Sequence, residues 1–234
     1  MLCVQVAFAM SEAQQASRIG LIGDVHAEDL LLTEALKRLG DRGVDLLLCV
    51  GDIVDGAGDL NRTCALLQGH NVLSVAGNHD RWLLGGAMRD LPDANALESL
   101  SQETRDFLAG LPKTRDIATP FGTALLCHGL GESDMACVRP DDEGYALEVN
   151  ADLHRLVASP DVQFVFNGHT HRKMVRHFKG LSIINAGTLH RDWGPGMVLV
   201  DFEAAAVEWS ALGADASSEW ERIGELRDLR EGRG

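Results

Sequence analysis

The sequence predicts an α/β fold in one domain, on three observations. From Arg18 onward, short apolar runs alternate with segments of helical periodicity, the βαβαβ rhythm of right-handed parallel crossovers. The last third of the chain changes to a series of short strands separated by glycine-bearing turns. The 234 residues, 45% hydrophobic and without a compositional break, suffice for one sizeable core.

Taken in order, "RIGLIG" reads as a buried strand. "DLLLTEALKRLG" sets Leu32, Ala35, Leu36 and Leu39 at helical spacing, with Glu28 and Asp29 early and Gly40 as the stop. "VDLLLCVG" is a second buried strand, "LNRTCALLQG" a helix and "NVLSVAG" a third strand. "LESLSQETRDFLAGLP" is a helix started by Ser99 or Ser101 and closed by Gly110 and Pro112. The strand "TALLCHG" follows, then a Gly/Asp/Glu-rich loop to about Asn150, a helix over "ADLHRLVA" and the strand "VQFVFNG". "KMVRHFKG", "LSIINAG", "GMVLVDFE" and "AVEWS" are the late short strands. The regular pattern begins only at Arg18, so residues 1–17 are expected to be a disordered lead or an over-long start, and "MLCVQVAFAM" lacks the basic flank and clear cleavage site of a signal peptide. The domain is expected to span 18–212. In the tail, 213–234, Trp220, Ile223 and Leu226 stand among charges, which predicts a helix docked on the body.

Charge and composition narrow the partners. The 21 basic residues against 35 acidic ones give −14, so attraction of nucleic acid by the overall field is not expected. No apolar run approaches a membrane span, so a soluble protein is expected. Cys3, Cys49, Cys64, Cys127 and Cys137 are odd in number, and two lie in apolar strand-like runs, a pattern that suits reduced thiols in the cytoplasm.

In parallel units, functional groups gather just beyond the carboxyl ends of strands. There the sequence has "GDVH" with Asp24 and His26, "GDIVD" with Asp52, and "GNHD" with Asn78, His79 and Asp80. Later strands deliver "CHG" with His128 and "GHTH" with His169 and His171. Carboxylates, an amide oxygen and imidazoles without thiolates suit five- or six-coordinate Mn, Fe, Co, Ni or Zn. The ligands suffice for two ions, which lie about 3.5–4 Å apart in two-metal hydrolases and then need a bridging carboxylate, for which Asp52 is the natural choice. Gly23, Gly51, Gly77 and Gly168 precede these groups and let the chain turn tightly.

The ordered set D-x-H, G-D, G-N-H-[DE], H and G-H-x-H resembles the calcineurin-like metallophosphoesterase superfamily over roughly residues 18–203. "GNHDRWL", "LSQETRDFLAGLP" and "INAGTLHRD" are similar to its small prokaryotic phosphoesterases and phosphodiesterases. The resemblance implies a four-layer αββα sandwich with two mixed β-sheets. It implies one ion held by Asp24, His26, Asp52 and His171, and a second held by Asp52, Asn78, His128 and His169. Mn or Fe comes first, with Ni, Co or Zn as alternatives. The implied reaction is in-line attack by a metal-bridging hydroxide on a small phosphate ester, a diester slightly ahead of a monoester. His79, oriented by Asp80, would stabilise the phosphoryl oxygens or protonate the leaving group. Two departures stand out: Gly56 occupies the place of the phosphate-gripping arginine of the protein phosphatases, and "NAGT" replaces the frequent N-P-G-S turn. A dinucleoside polyphosphate hydrolase and a non-catalytic protein-binding scaffold are the competing readings. His70, His154 and His177 read as surface or core histidines, Arg81 as helix surface, and His190 and Arg191 as either a structural turn or phosphate contacts.

Overall fold

The computed structural model describes residues 15–87, 89–214 and 216–227. The first sheet is built from β1 (Arg18–Ile22), β2 (Leu46–Cys49), β3 (Leu73–Ser74), β9 (Gly196–Asp201), β10 (Ala206–Ala211) and β11 (Glu221–Glu225), in the order β11-β10-β9-β1-β2-β3. The second joins β4 (Thr114–Thr119), β5 (Gly122–Cys127), β6 (Phe164–Asn167), β7 (Met174–Phe178) and β8 (Leu181–Asn185), in the order β4-β5-β6-β8-β7. Both are mixed: β1, β2 and β3 run parallel, as do β5, β6 and β8, and the remaining pairings are antiparallel.

Strand alternation sorts the core into three layers. Ile19, Leu21, Leu48, Val198 and Val200 of the first sheet face Leu126, Phe164, Phe166 and Ile184 of the second. The opposite face of the first sheet, with Ile22 and Cys49, packs on the helices α1 (Asp29–Asp41), α2 (Leu60–Gly69) and α4 (Gln102–Ala109). The outer face of the second, with Cys127, Val165 and Ile183, takes Leu153 and Leu156 of α6 (Ala151–Ala158). The result is the expected αββα sandwich.

Several local expectations are corrected. Gly40 lies inside α1, which ends at Asp41, and Gly43 at φ +64° makes the turn. Ser101 is the cap of α4, its Oγ accepting from the Thr104 N–H at 3.1 Å, while Leu97–Ser99 form a separate 3₁₀ turn. The third strand contracts to two residues because helix α3 (Asn78–Leu84) begins within its motif. The Gly/Asp/Glu-rich loop contains a one-turn helix, α5 (Tyr145–Glu148). β4, absent from the sequence reading, pairs antiparallel with β5.

Both chain ends also differ from expectation. Residues 1–14 lie outside the described residues, but Ala16 is buried and the Ser17 carbonyl accepts from Phe202 N–H at 2.8 Å, so the domain begins before Arg18. The tail forms strand β11 against β10, not a helix. Ile223 and Leu226 join the core between the sheets, whereas Trp220 joins the core beneath the helices. A single helical stripe cannot serve two opposite faces; a strand can. Among the described residues no helix is long and apolar enough to cross a membrane.

Candidate metal centre

The carboxyl ends of β1, β2, β3, β5 and β6 converge on one edge of the sandwich, and Asp24, Asp52, Asn78, His128 and His169 follow them directly. Single ligand atoms of Asp24, His26, Asp52 and His171 lie within 4.8 Å of one another, and those of Asp52, His128 and His169 form a second such group. Asp52 belongs to both. Asn78 meets the second group through its Oδ1, 3.0 Å from His128 Nε2.

Left-handed backbone at non-glycine residues is concentrated here, with Asn71 and Ala205 the other instances among the described residues. His26, Ala27, Asp52, Asp55, His169 and His171 all have positive φ, between 44° and 68°. Each such non-glycine residue costs about 1 kcal/mol or more. The close approach of β6 to β1 depends on Gly168, where a Cβ would stand 2.1 Å from Asp24 Oδ1. Gly56 is equally constrained, since a Cβ there would meet the His26 carbonyl oxygen at 1.7 Å. That contact excludes an arginine at this position in this loop.

Hydrogen bonds fix the imidazole tautomers. His26 Nδ1–H donates to the Asp55 carbonyl at 2.9 Å, and His128 Nδ1–H donates to the Val50 carbonyl at 2.9 Å. Each turns Nε2 into the cluster, the arrangement that metal-ligating histidines use. His26 Nε2 lies 3.0 Å from His171 Nε2, and His128 Nε2 lies 3.2 Å from Asp52 Oδ2. Acceptors gathered this closely require a cation or proton between them.

Electrostatics agree. Asp24 is fully buried, its Oδ2 has no hydrogen-bond partner, and burial pushes the carboxyl above the usual carboxylate range. Burial also pushes Asp52 upward, but His128, at hydrogen-bonding distance, overrides it and holds Asp52 below that range. Burial opposes charge on His128 too, yet Asp52 raises it to about 10. His171 is pushed down to about 3, by burial first and then by His26, so it stands neutral, as a metal ligand must. These donors fit divalent cations: two buried carboxylates, one with an orphaned oxygen, face the neutral His171 and the His128 nitrogen, whose proton a cation would replace.

His79, at the amino end of α3, stands beside the cluster with its Nε2 4.0 Å from Asp52 Oδ2. Its orienting partner is not the expected Asp80. The Asp80 carboxylate accepts from the backbone N–H groups of Ile53, Val54 and Gly77 and thereby ties two ligand loops together. His79 Nδ1–H instead donates to Asp55 Oδ2 at 2.8 Å. Burial alone would lower the His79 pKa, but this bond and the charges of Asp52 and Asp55 raise it. Asp55 also accepts from Asn95 N–H at 3.0 Å, and Arg89 Nε lies 2.8 Å away as an ion pair not aligned for a hydrogen bond. Sequence reasoning missed Asp55, Arg89 and Asn95. Asp55 carried a usable signal, as the second carboxylate of "GDIVD".

The remaining candidates fall outside the cluster or on its rim. Thr188 Oγ–H and Leu189 N–H both donate to the Asp24 carbonyl, so the "NAGT" turn braces a candidate ligand. Arg191 forms a two-pronged ion pair with buried Glu28, both contacts 2.7 Å, which makes it structural. Arg81 pairs with Asp134 on the surface of α3. His154 and His177 bond to the Glu148 carbonyl and Ser182. His190 remains beside the site, its ring 5.3 Å from that of His26. Cys49, Cys64 and Cys127 are buried free thiols, Cys137 is half-buried, and Cys3 lies outside the described residues.

Comparison with known proteins places this geometry. The family model of the calcineurin-like phosphoesterase superfamily domain matches residues 18–205. An uncharacterized protein of Methanocaldococcus jannaschii is 38% identical over 69 residues, a match spanning 30% of this chain and only 28% of that relative. A crystal structure of a metallophosphoesterase from Sphaerobacter thermophilus is 22% identical, with a TM-score of 0.59 over 90% of this chain and 89% of that one. The structure of a candidate diadenosine tetraphosphatase, also 22% identical, has a TM-score of 0.59 over 86% of this chain and 95% of the other. At these identities the two structures share the fold with this chain.

Proposed function

Since the chain belongs to the calcineurin-like phosphoesterase superfamily, we propose that it hydrolyses small phosphate esters, diesters ahead of monoesters, with two divalent cations held side by side. The observation that carries the reading is Asp52, whose carboxylate belongs to both ligand groups. Asp24, His26, Asp52 and His171 hold the first ion; Asp52, Asn78, His128 and His169 hold the second. Mn or Fe is the first choice for this mixed oxygen and nitrogen set, with Ni, Co or Zn as alternatives. When bound, such a pair lowers the pKa of a shared water and neutralises charge developing on the phosphoryl oxygens.

The chain's own residues do the rest. His79, kept protonated by Asp55, carries the proton that the leaving alkoxide needs, a role worth about 10²–10⁴ in rate. Arg89 and Asn95 hold Asp55. Asp80 fixes the Asp52 loop against α3, and Thr188 steadies Asp24. Buried reduced thiols fit a cytoplasmic location. The second reading, a dinucleoside polyphosphate hydrolase, gains from the shared fold of the candidate diadenosine tetraphosphatase. It loses at Gly56, because such hydrolases resemble the protein phosphatases in carrying an arginine there, and here a Cβ would already collide with the His26 carbonyl oxygen.

The test is hydrolysis of bis-p-nitrophenyl phosphate and p-nitrophenyl phosphate by metal-stripped protein resupplied with Mn²⁺, with Asp52→Asn as control. Diester turnover that vanishes in the variant is the expected result. Absence of turnover with Mn²⁺, Fe²⁺, Ni²⁺ and Co²⁺ alike would contradict the reading.

A further inference from the structure

Two cavities of about 240 Å³ flank the candidate centre on opposite sides. One is lined by Gly77, Leu84, Leu108, Lys113 and His128 and does not include His79. The other opens over His26, His79 and His171. In ester hydrolysis the P–O bond to the leaving group breaks, water supplies the new hydroxyl on phosphorus, and the leaving oxygen takes a proton. His79 also lines a third cavity, with Trp82, Arg89 and Leu91, but of the two only the second borders the candidate ligands His26 and His171. With His79 as donor and phosphorus at those ligands, the leaving oxygen sits at the mouth of the second cavity.

The wall of this cavity is unusual for so polar a site. Leu91 and Pro92 line one side, Trp193 and His190 the other. Leu91 is 43% exposed and Trp193 64% exposed. The Trp193 indole lies nearly perpendicular to His171, ring centroids 5.9 Å apart at 79°, and its exposure leaves ring surface open to a second ring. The turn that presents it is fixed by the Trp193 N–H donating to the His190 carbonyl at 3.0 Å. Among the described residues, no lysine or arginine lines the cavity. Its carboxylates are Asp93 and Asp55, the latter engaged by His79 and Arg89. A polyphosphate chain would find no cation here; a planar uncharged ring finds three apolar side chains.

We propose that this cavity is the leaving-group subsite and takes a planar aromatic ring, an aryl group or a nucleobase, stacked on Trp193. The proposal rests on the phosphoesterase reading above and narrows its substrate to esters whose departing alcohol carries such a ring. Stacking on an aromatic side chain favours binding by roughly tenfold or more.

The test is calorimetric titration of manganese-loaded protein with methylphosphonate, phenylphosphonate and adenosine 5′-monophosphate, for the wild type, Trp193→Ala and Trp193→Phe. The wild type and Trp193→Phe are expected to bind a ring-bearing ligand about tenfold tighter than methylphosphonate. Trp193→Ala should lose that preference while keeping its affinity for methylphosphonate, and Trp193 is exposed enough for the variant to fold. A preference shown by phenylphosphonate assigns a directly attached ring; one confined to the nucleotide assigns a nucleoside. A preference that survives in Trp193→Ala, or is missing from the wild type while methylphosphonate binds, overturns the subsite and leaves the phosphoesterase reading standing. A wild type that binds none of the three overturns both.

Discussion

The space between the two sheets and the strand-end edge are both buried, yet they are built on opposite terms. Between the sheets, Phe164, Phe166, Leu21 and Leu48 meet in an apolar cluster. At the edge, Asp24, Asp52, Asn78, Asp80 and His128 are equally hidden from water, and His26, Ala27, Asp52, Asp55, His169 and His171 hold left-handed backbone. The first region stabilises the chain through apolar burial. The second is strained and charged, and it costs stability that the first must offset. Stability and activity should therefore respond to substitution in opposite regions.

Substitutions at the edge should give the largest effects on activity. His79→Ala is expected to lower kcat by about 10²–10⁴ while the manganese content, measured by elemental analysis, stays that of the wild type; full turnover would remove His79 from the mechanism. Asp55→Asn should reproduce much of that loss, because it takes the anionic partner from His79, and steady-state kinetics on the same diester would show it. Phe164→Ala, in the other region, should cost about 3–5 kcal/mol in urea unfolding without changing metal affinity; a selective loss of metal would show the regions to be coupled. Asp24→Asn sharpens the contrast most finely. It takes the charge from a fully buried carboxyl whose Oδ2 accepts no hydrogen bond, so the metal-free protein should melt a few degrees higher, of the order expected for about 1 kcal/mol, although its metal-dependent turnover is lost. A lower melting temperature would mean that Asp24 serves the apo fold as well.

The five strand-end motifs were legible because each is local: an apolar run, a glycine, then a ligand type. Their convergence followed from the rule for parallel strands, and the helices α1, α2 and α6 followed from periodicity. What was not legible depends on distant partners. β4 has only two buried positions, Ile117 and Thr119, and owes its form to β5. β11 and the residues flanking it, Trp220 and Leu226, reach two cores at a spacing that mimics a helix. Asp80 and Asp55 are both carboxylates beside "GNH" or "GD", and sequence order alone assigned the orienting role to the wrong one. Only the fold shows that Asp80 turns inward to backbone amides while Asp55, with Arg89 34 residues further along the chain, reaches the His79 ring.

The shared carboxylate of Asp52 is the central claim, and manganese binding by calorimetry, with stoichiometry checked by elemental analysis, tests it most directly. Two ions per chain in the wild type, one in His169→Ala and none held tightly in Asp52→Asn is the predicted series. A wild type that takes up a single ion, or an Asp52→Asn protein that still binds two, would contradict it.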